Sequence, residues 1–279
     1  GNGRLADLLG EDRVPKLEQV AALAADPSMA HTAEHAIVRE VARPLGRPRL
    51  RVHALGPLEV YVGDGSVEAS AWGSARPREL LLYLLLHPQG RTKEQVGLAF
   101  WPDASTTQLR NNFHVTLHRL RKALGGSDWV SLERDRYRIA PELIEHFDVA
   151  EFEKLIKAKK LEQAVELYRG DLLGGEQVGD WSIEHSDRLQ RLYVDALMAL
   201  GARYIREQEH RKAAEAYRRV LERDGIHEDA TQGLMRCHAA LGEKPQALRL
   251  YQQFSEKLKT ELQTKPRVET VKLFESLRS

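Results

Sequence analysis

The segment Asn111–Gly126, NNFHVTLHRLRKALGG, concentrates side chains that can bond nucleic acid or a metal ion. It contains adjacent asparagines, three Lys or Arg residues, and two histidines four positions apart. In the major groove of DNA, arginine and asparagine can each make paired hydrogen bonds to base edges, and other basic side chains can hold phosphates. A solvated helix surface and a metal site are the competing interpretations, and the surrounding elements decide among the three.

A metal site has little support in the sequence. His114 and His118 can share one side of a helix, but Val115 stands where a zinc protease of the HExxH type has its glutamate, and no third ligand is evident. His31 and His35 have the same spacing and equally little support. We therefore predict that the chain uses no metal and no cofactor.

Helical periodicity divides the segment into a core face and an outward face. The core face is an apolar stripe at helical spacing, formed by Leu109, Phe113, Leu117, Leu120 and Leu124. The outward face carries Asn111, Val115, His118 and Lys122 with Arg119 beside them, and the flanks carry Asn112, His114, Thr116 and Arg121. This mixture suits a major groove, where a valine can meet a thymine methyl group and basic side chains such as Lys122 can hold phosphates.

Positive charge is local to this part of the chain. Across all 279 residues, 42 Lys and Arg nearly balance 41 Asp and Glu, so the net charge is only +1. Residues 105–140 alone carry seven basic and three acidic side chains, which is a net charge of +4. A basic surface confined to one region is the electrostatic pattern of a nucleic-acid interface.

The elements around this helix follow the order of a known DNA-binding motif. Residues 50–62 alternate apolar and polar side chains about a Gly-Pro turn, which predicts a small sheet. Three helix starts come next, marked by a proline or a capping side chain: Pro77, Thr92 and Ser105. The third helix is predicted over 105–124, and residues 129–140 predict a hairpin with a charged tip. Three helices followed by a hairpin are the layout of a winged helix-turn-helix.

Helical segments flank this unit on both sides. Residues 1–48 predict a helical N-terminal segment, which is either the remnant of an upstream helical array or a cap on the domain after it. Beyond residue 147 the chain is helical with a 34-residue repeat, seen in the pairs Ala213 with Ala247 and Tyr217 with Tyr251. That period is typical of tetratricopeptide repeats.

Motifs of other function classes are missing from the sequence. No nucleotide-binding GxxxxGK[ST] loop and no GxSxG nucleophile elbow occurs, and the acidic residues are scattered, so we predict that the chain is not an enzyme. The lone Cys237 cannot form an internal disulfide. No apolar run of about 18 residues predicts a membrane span, and no secretory signal is visible, so the expected compartment is the cytoplasm.

Several stretches, taken in order, match the pattern of a known family: LLLYLLLHPQGRTKEQVGLAFWPD, LRNNFHVTLHRLRKALG, ELYRGDLLGGE, GLMRCHAALGEKPQALRLYQQF and LKTELQTKPRVETVKLFESL. Residues 50–279 resemble the regulators that join an OmpR-type winged helix to a bacterial transcriptional activator domain, including the Streptomyces antibiotic regulatory proteins and AfsR-like activators. The resemblance implies a mainly α fold with a small β component. A winged helix-turn-helix domain over 49–141 would precede an all-α, tetratricopeptide-like domain over 146–279, and residues 1–48 lie outside the resemblance.

The resemblance also assigns roles to residues of the third helix and the hairpin. It implies base reading by Asn112, Val115 and Arg119, and phosphate contacts by Asn111, Thr116, His118 and Arg121. In the hairpin, or wing, Arg134 or Arg136 would enter the minor groove. The wing departs from the family's common Gly-rich tip, because it carries Glu133 and Asp135.

The partners implied by the resemblance are double-stranded promoter DNA and RNA polymerase, with a second protomer as a further candidate. Family members also carry a receiver, ATPase or phosphopeptide-binding domain, and because the chain starts at Gly1 rather than Met, an upstream regulatory domain is a further expectation. Two alternatives remain open: a protein-interaction scaffold whose winged helix does not bind DNA, and a ligand sensor with an effector site in the helical domain.

Overall fold

The computed structural model describes residues 48–278. The helical segment predicted for residues 1–48 therefore lies outside the described residues, except for Pro48, and so do His31 and His35. The strands of the described part are β1 (Leu50–His53), β2 (Glu59–Val62), β3 (Gly65–Ser66), β4 (Val130–Glu133), β5 (Arg136–Ile139) and β6 (Ile144–Phe147). The helices that carry the candidate site are α1 (Ala75–Leu85), α2 (Lys93–Phe100) and α3 (Thr106–Ala123). Short 3-10 turns lie at Ala69–Trp72, Pro141–Leu143 and Leu173–Gly175.

The first sheet has the strand order β3-β2-β1-β6. Its predicted hairpin is confirmed, with β1 antiparallel to β2 and Val52 opposite Val60. Leu50 and Val52 are fully buried and Arg51 and His53 are half-buried, which is the period-two pattern of a strand with one face on the core. The sequence pattern did not predict β6, which pairs parallel to β1 after the intervening helices and hairpin.

Capping boxes start the two helices of the helix-turn-helix. At α2, the Thr92 hydroxyl accepts from the Gln95 N–H at 3.3 Å and the Gln95 side chain accepts from the Thr92 N–H at 3.0 Å. Ser105 and Gln108 repeat the arrangement at α3, at 3.4 and 3.0 Å. Each box satisfies two backbone donors that a helix start otherwise leaves free. The predicted caps at Thr92 and Ser105 are therefore confirmed.

The predicted hairpin at 129–140 is also confirmed as an antiparallel pair, β4 with β5. Its two-residue turn places Arg134 and Asp135 at φ of 49° and 63°. Positive φ at both central residues gives a turn whose twist matches the flanking strands, so the hairpin closes without glycine. The N–H of Arg91, between α1 and α2, donates to the Tyr137 carbonyl at 2.9 Å, and the Tyr137 N–H donates back at 2.8 Å. These bonds hold the hairpin against the helical unit.

The rest of the described chain is a series of helical hairpins. Its helices are α4 (Asp148–Lys157), α5 (Leu161–Leu167), α6 (Asp180–Arg206), α7 (His210–Arg223), α8 (Glu228–Ala240), α9 (Lys244–Lys257) and α10 (Val268–Arg278), with a π-helical turn at Leu258–Leu262. The repeated alanines Ala213 and Ala247 are fully buried. A Cβ added at Gly201 of α6 or Gly233 of α8 would lie 2.6 or 2.5 Å from Cζ of Tyr217. Small residues thus let neighbouring helices close around one tyrosine ring.

The winged helix and the helical hairpins belong to one compact unit, which runs from Leu50 onward. The buried Asp148 carboxylate, at the start of α4, accepts from the backbone N–H groups of Ala54 and Leu55 at 2.9 Å. The Leu173 N–H donates to the Ala54 carbonyl at 2.9 Å. Side-chain and backbone bonds therefore tie the sheet to the helical repeats.

Within residues 48–278, none of the helices combines the length and the hydropathy that a membrane crossing would need.

Candidate nucleic-acid interface

Helix α3 is held by packing on its inner side. Phe113, Leu117 and Leu120 are buried, and the Phe113 ring meets the edge of the Tyr137 ring in the wing at a centroid distance of 4.7 Å. The predicted core stripe is thereby confirmed for these residues. The burial of several large apolar side chains along one line fixes the rotation of α3 about its own axis, because any other rotation would expose them to water.

A close approach of α2 sets the other contact of α3. Gly97 is buried in α2, and a Cβ at this position would overlap the Leu109 side chain of α3. A glycine in the middle of a helix destabilises the helix by about 1 kcal/mol relative to alanine. At Gly97 this loss accompanies a short distance between α2 and α3 that a larger residue would prevent. Gly97 was not among the residues predicted to shape the site, although an isolated glycine within a helical pattern is a signal for close packing.

The outer side of α3 carries the predicted contact residues at the surface. Six of them are exposed: Asn111, Asn112, Val115, His118, Arg119 and Lys122. Val115 is 51% exposed, so an apolar methyl pair projects from a surface of amides and cations. The residue types and their common exposure fit base-edge and phosphate contacts, and those contacts remain a prediction.

Thr116 does not lie on that surface. It is only 6% exposed, because it stands three positions after Phe113 and four before Leu120 and so shares their side of the helix. Thr116 is thus largely covered by its neighbours, and its predicted phosphate contact stays a prediction.

Arg121 has a structural contact that the sequence did not predict. Its guanidinium is half-buried and donates through Nη2 to the Val130 carbonyl, at the base of the wing, over 3.0 Å. This bond joins the last turns of α3 to β4, so Arg121 helps to set the angle between helix and wing. Only the guanidinium N–H groups that do not bond Val130 are left for the predicted phosphate contact of Arg121.

Two arginines supply the positive charge of the wing. Arg134 and Arg136 are both exposed, and Arg136 also donates through Nη1 to the Gly90 carbonyl at 3.2 Å. The acidic Glu133 is paired with Arg138 at 2.6 Å, so these two charges largely cancel at the surface. The wing therefore presents Arg134 and Arg136 at its surface, with the opposing charge of Asp135 at the turn.

The start of α1 also borders this surface. Arg119 of α3 donates through Nη1 to the hydroxyl of Ser74, the residue before α1, at 3.5 Å. Ser74 has no sequence signal beyond its place as a helix cap. Only the folded chain brings it to the predicted base-reading arginine.

His114 and His118 are both exposed on α3. Among residues 48–278, no group of three or more His, Cys, Asp or Glu side chains is arranged to hold a metal ion. Two histidines alone supply only two of the four ligands of a tetrahedral zinc site.

Comparisons with known proteins agree with this architecture. The family described as "Bacterial transcriptional activator domain" matches residues 148–278. A solved structure of Mycobacterium tuberculosis EmbR, in complex with a low-affinity phosphopeptide, superposes with a TM-score of 0.64 at 18% sequence identity. The match covers 83% of this chain and 65% of the EmbR chain, so it spans less than two thirds of EmbR's length. At this identity the likeness concerns the fold. No curated protein matches the sequence.

The matched residues begin at Asp148, which binds the sheet, and end with α10, so they take in all the helical hairpins. The fold predicted from sequence, a winged helix-turn-helix followed by a tetratricopeptide-like helical domain, is confirmed. Residues 148–278 therefore carry a bacterial transcriptional activator domain, the domain that the sequence resembles.

Proposed function

We propose that this chain is a transcription activator that binds promoter DNA through α3 and the wing. The observation that carries the proposal is the outer face of α3, where Asn112, Val115 and Arg119 are exposed together while the opposite side of the helix is buried. Arginine suits guanine O6 and N7, asparagine suits adenine N6 and N7, and valine suits a thymine methyl. The three residues would read neighbouring bases from one helix.

The charges around this face support phosphate binding on both sides. Lys122 and His118 lie further along α3, and Arg134 and Arg136 project from the wing. Phosphate contacts fix the register of a protein on the duplex without reading sequence, so they complement the base-reading residues. The bonds of Arg91 and Arg121 to the wing would hold the two groups of cations at a constant separation.

The helical repeats would supply the protein contacts of the activator. We propose RNA polymerase or a second protomer as their partner, because the family is one of transcription activators. A dimer would bind paired half-sites about 10–11 base pairs apart. The same proposal includes a division into units at 49–141 and 146–279 and a cytoplasmic location.

Selection from a random duplex DNA library tests this function, with the wild type and Arg119→Ala side by side. We expect the wild type to enrich a defined motif, and Arg119→Ala to lose selectivity at one position of it. The cost for the preferred site should be about 1–3 kcal/mol, the usual value of one bidentate base contact.

Two outcomes would contradict the proposal. If the wild type enriches no sequence at low salt, where phosphate contacts are strongest, DNA binding itself is wrong and the scaffold alternative stands. If Arg119→Ala lowers affinity equally for all sequences, Arg119 holds a phosphate and base reading must lie elsewhere on α3.

A further inference from the structure

Two histidines from different parts of the fold meet at the contact between the winged helix and the repeats. His87 comes just after α1, and His185 lies in the second turn of α6. Their rings are edge to face, with centroids 5.2 Å apart. Neither belongs to the proposed DNA surface on α3, and the sequence alone offers no reason to pair residues 98 positions apart.

Aromatic rings surround this histidine pair. Trp181, one turn before His185, is stacked on Phe100 at 5.7 Å and meets the edge of Tyr83 at 5.3 Å. Phe100 ends α2 and Tyr83 lies in α1, so one tryptophan of the repeats contacts both helices that support α3. Docking of α6 on the winged helix therefore depends on these few rings.

The histidines are poorly placed to carry charge. His87 Nδ1 is 2.6 Å from the Tyr83 carbonyl, so this nitrogen carries a proton and donates it. His185 Nδ1 is buried and has no hydrogen-bond partner among the described residues. A protonated His185 would hold an N–H donor at this nitrogen with no acceptor, and two charged rings in contact would repel each other.

The polar and charged groups around the pair only partly offset the free-energy cost of protonating these rings. The groups that face it are Tyr83 from α1, Arg91 from the loop before α2, Glu153 from α4, and Glu184 and Arg188 from α6. Arg188 is already paired with Glu153 at 2.6 Å. Burial lowers the pKa of His87, and Arg91 lowers it further against the opposing effects of the Tyr83 carbonyl and Glu184. Burial, and next His87 itself, lowers the pKa of His185.

We propose that the His87–His185 contact is a proton-sensitive latch between the winged helix and the activator domain, in which protonation of one of the two rings weakens the docking of α6 on α1 and α2. The docked state takes up protons less readily than an opened state in which both rings are hydrated. Docking is therefore strongest above the ordinary histidine pKa of ~6.5 and weakens as the pH falls through that value. This inference is independent of DNA binding, since it concerns a contact within the chain.

Trp181 reports the docking directly. We would record tryptophan emission of the full chain between about pH 7.5 and pH 5.5, a range that brackets the ordinary histidine pKa. Subtracting the spectrum of Trp181→Phe isolates the signal of this residue. Hydrogen exchange of the backbone amides at 181–189 is a second readout that needs no variant. We expect a shift of Trp181 emission to longer wavelength and faster exchange at the lower pH.

His87→Gln and His185→Gln remove the titrating groups and keep a polar side chain, and His210→Gln, in α7, is the matched control. Loss of the pH response in at least one of the first two variants, with the response intact in the control, supports the latch. An emission maximum and exchange rates that stay constant in the wild type would overturn it, and so would a response retained by both variants. None of these measurements contains DNA, so they do not depend on the result of the library selection.

Discussion

On α3, neighbouring positions have opposite environments and therefore opposite expected roles. Thr116 is buried with Phe113 and Leu120, whereas Val115 is half exposed and Lys122 lies at the surface. A side chain on the packed side of a helix cannot become fully accessible unless the helix rotates, and rotation would expose the buried apolar side chains at about 25 cal/mol for each Å². Exposure, rather than hydrogen-bonding capacity, decides which of these polar residues can contact DNA.

Thr116→Val and Lys122→Ala form a pair of substitutions that tests this distinction. We expect Thr116→Val to leave DNA affinity unchanged, because the residue is only 6% exposed. Lys122→Ala should weaken binding to all sequences alike and lower the slope of log affinity against log salt by about 1, since one phosphate contact is lost. Titrations of labelled duplex at several salt concentrations measure both effects. An equal loss of affinity in Thr116→Val would show that α3 binds DNA with a different face.

At the scale of elements, helix packing depends on positions where a side chain would be too large. Gly97 brings α2 against α3, and Gly201 and Gly233 bring α6 and α8 around the Tyr217 ring. Tyr217 is only 5% exposed, so the ring has little freedom to move away. A missing Cβ thus sets the helix spacing both below the proposed DNA surface and within the repeats.

Gly233→Ala is expected to destabilise the fold despite its better helix propensity. Alanine should gain up to about 1 kcal/mol in a helix interior, but overpacking against a confined ring costs typically ~1–3 kcal/mol. The midpoint of urea unfolding should therefore fall. Gly126→Ala is the matched control, because a Cβ there meets nothing within 4 Å, and it should not lower the midpoint. A higher midpoint in Gly233→Ala would mean that Tyr217 can move aside at little cost.

At the scale of the whole molecule, a buried carboxylate and backbone hydrogen bonds join the sheet region to the activator domain. Asp148 has no exposed surface, and its oxygens accept from the N–H groups of Ala54 and Leu55. Close by, the Gly56 N–H donates to the Asp171 carbonyl at 3.1 Å, so a second backbone bond spans the same junction. Trp181 forms a second contact, with Tyr83 of α1 and Phe100 of α2. The activator domain therefore contacts the winged helix both at the sheet and at the two helices that support α3.

Asp148→Asn should lower the free energy of unfolding by about 1–3 kcal/mol, because the amide nitrogen would replace an acceptor and leave a buried backbone N–H without a partner. Denaturant unfolding followed by circular dichroism measures the change. Asp187→Asn, an exposed aspartate in α6, serves as control and should have little effect. Equal stability of Asp148→Asn and the wild type would show that the junction does not contribute to folding.

Local patterns in the sequence were sufficient to determine most of the elements and the candidate interface. The helix starts at Thr92 and Ser105, the hairpin at 129–140 and the outer face of α3 all follow from spacing and capping within one segment. The 34-residue repeat was equally readable, since each helical pair repeats the same small and aromatic positions. These features depend on interactions between residues that are close in the chain, and such interactions require particular residue types at regular spacings in the sequence.

Only the tertiary structure decided the features that join distant segments. The pairing of β6 with β1, the buried site of Asp148 and the meeting of His87 with His185 each depend on how whole elements dock. The same holds for the burial of Thr116, which lies at the border of the polar face and is covered by its neighbours. A residue at such a border is assigned to core or solvent by the shape of the elements that pack beside it, and that shape is set by the complete fold.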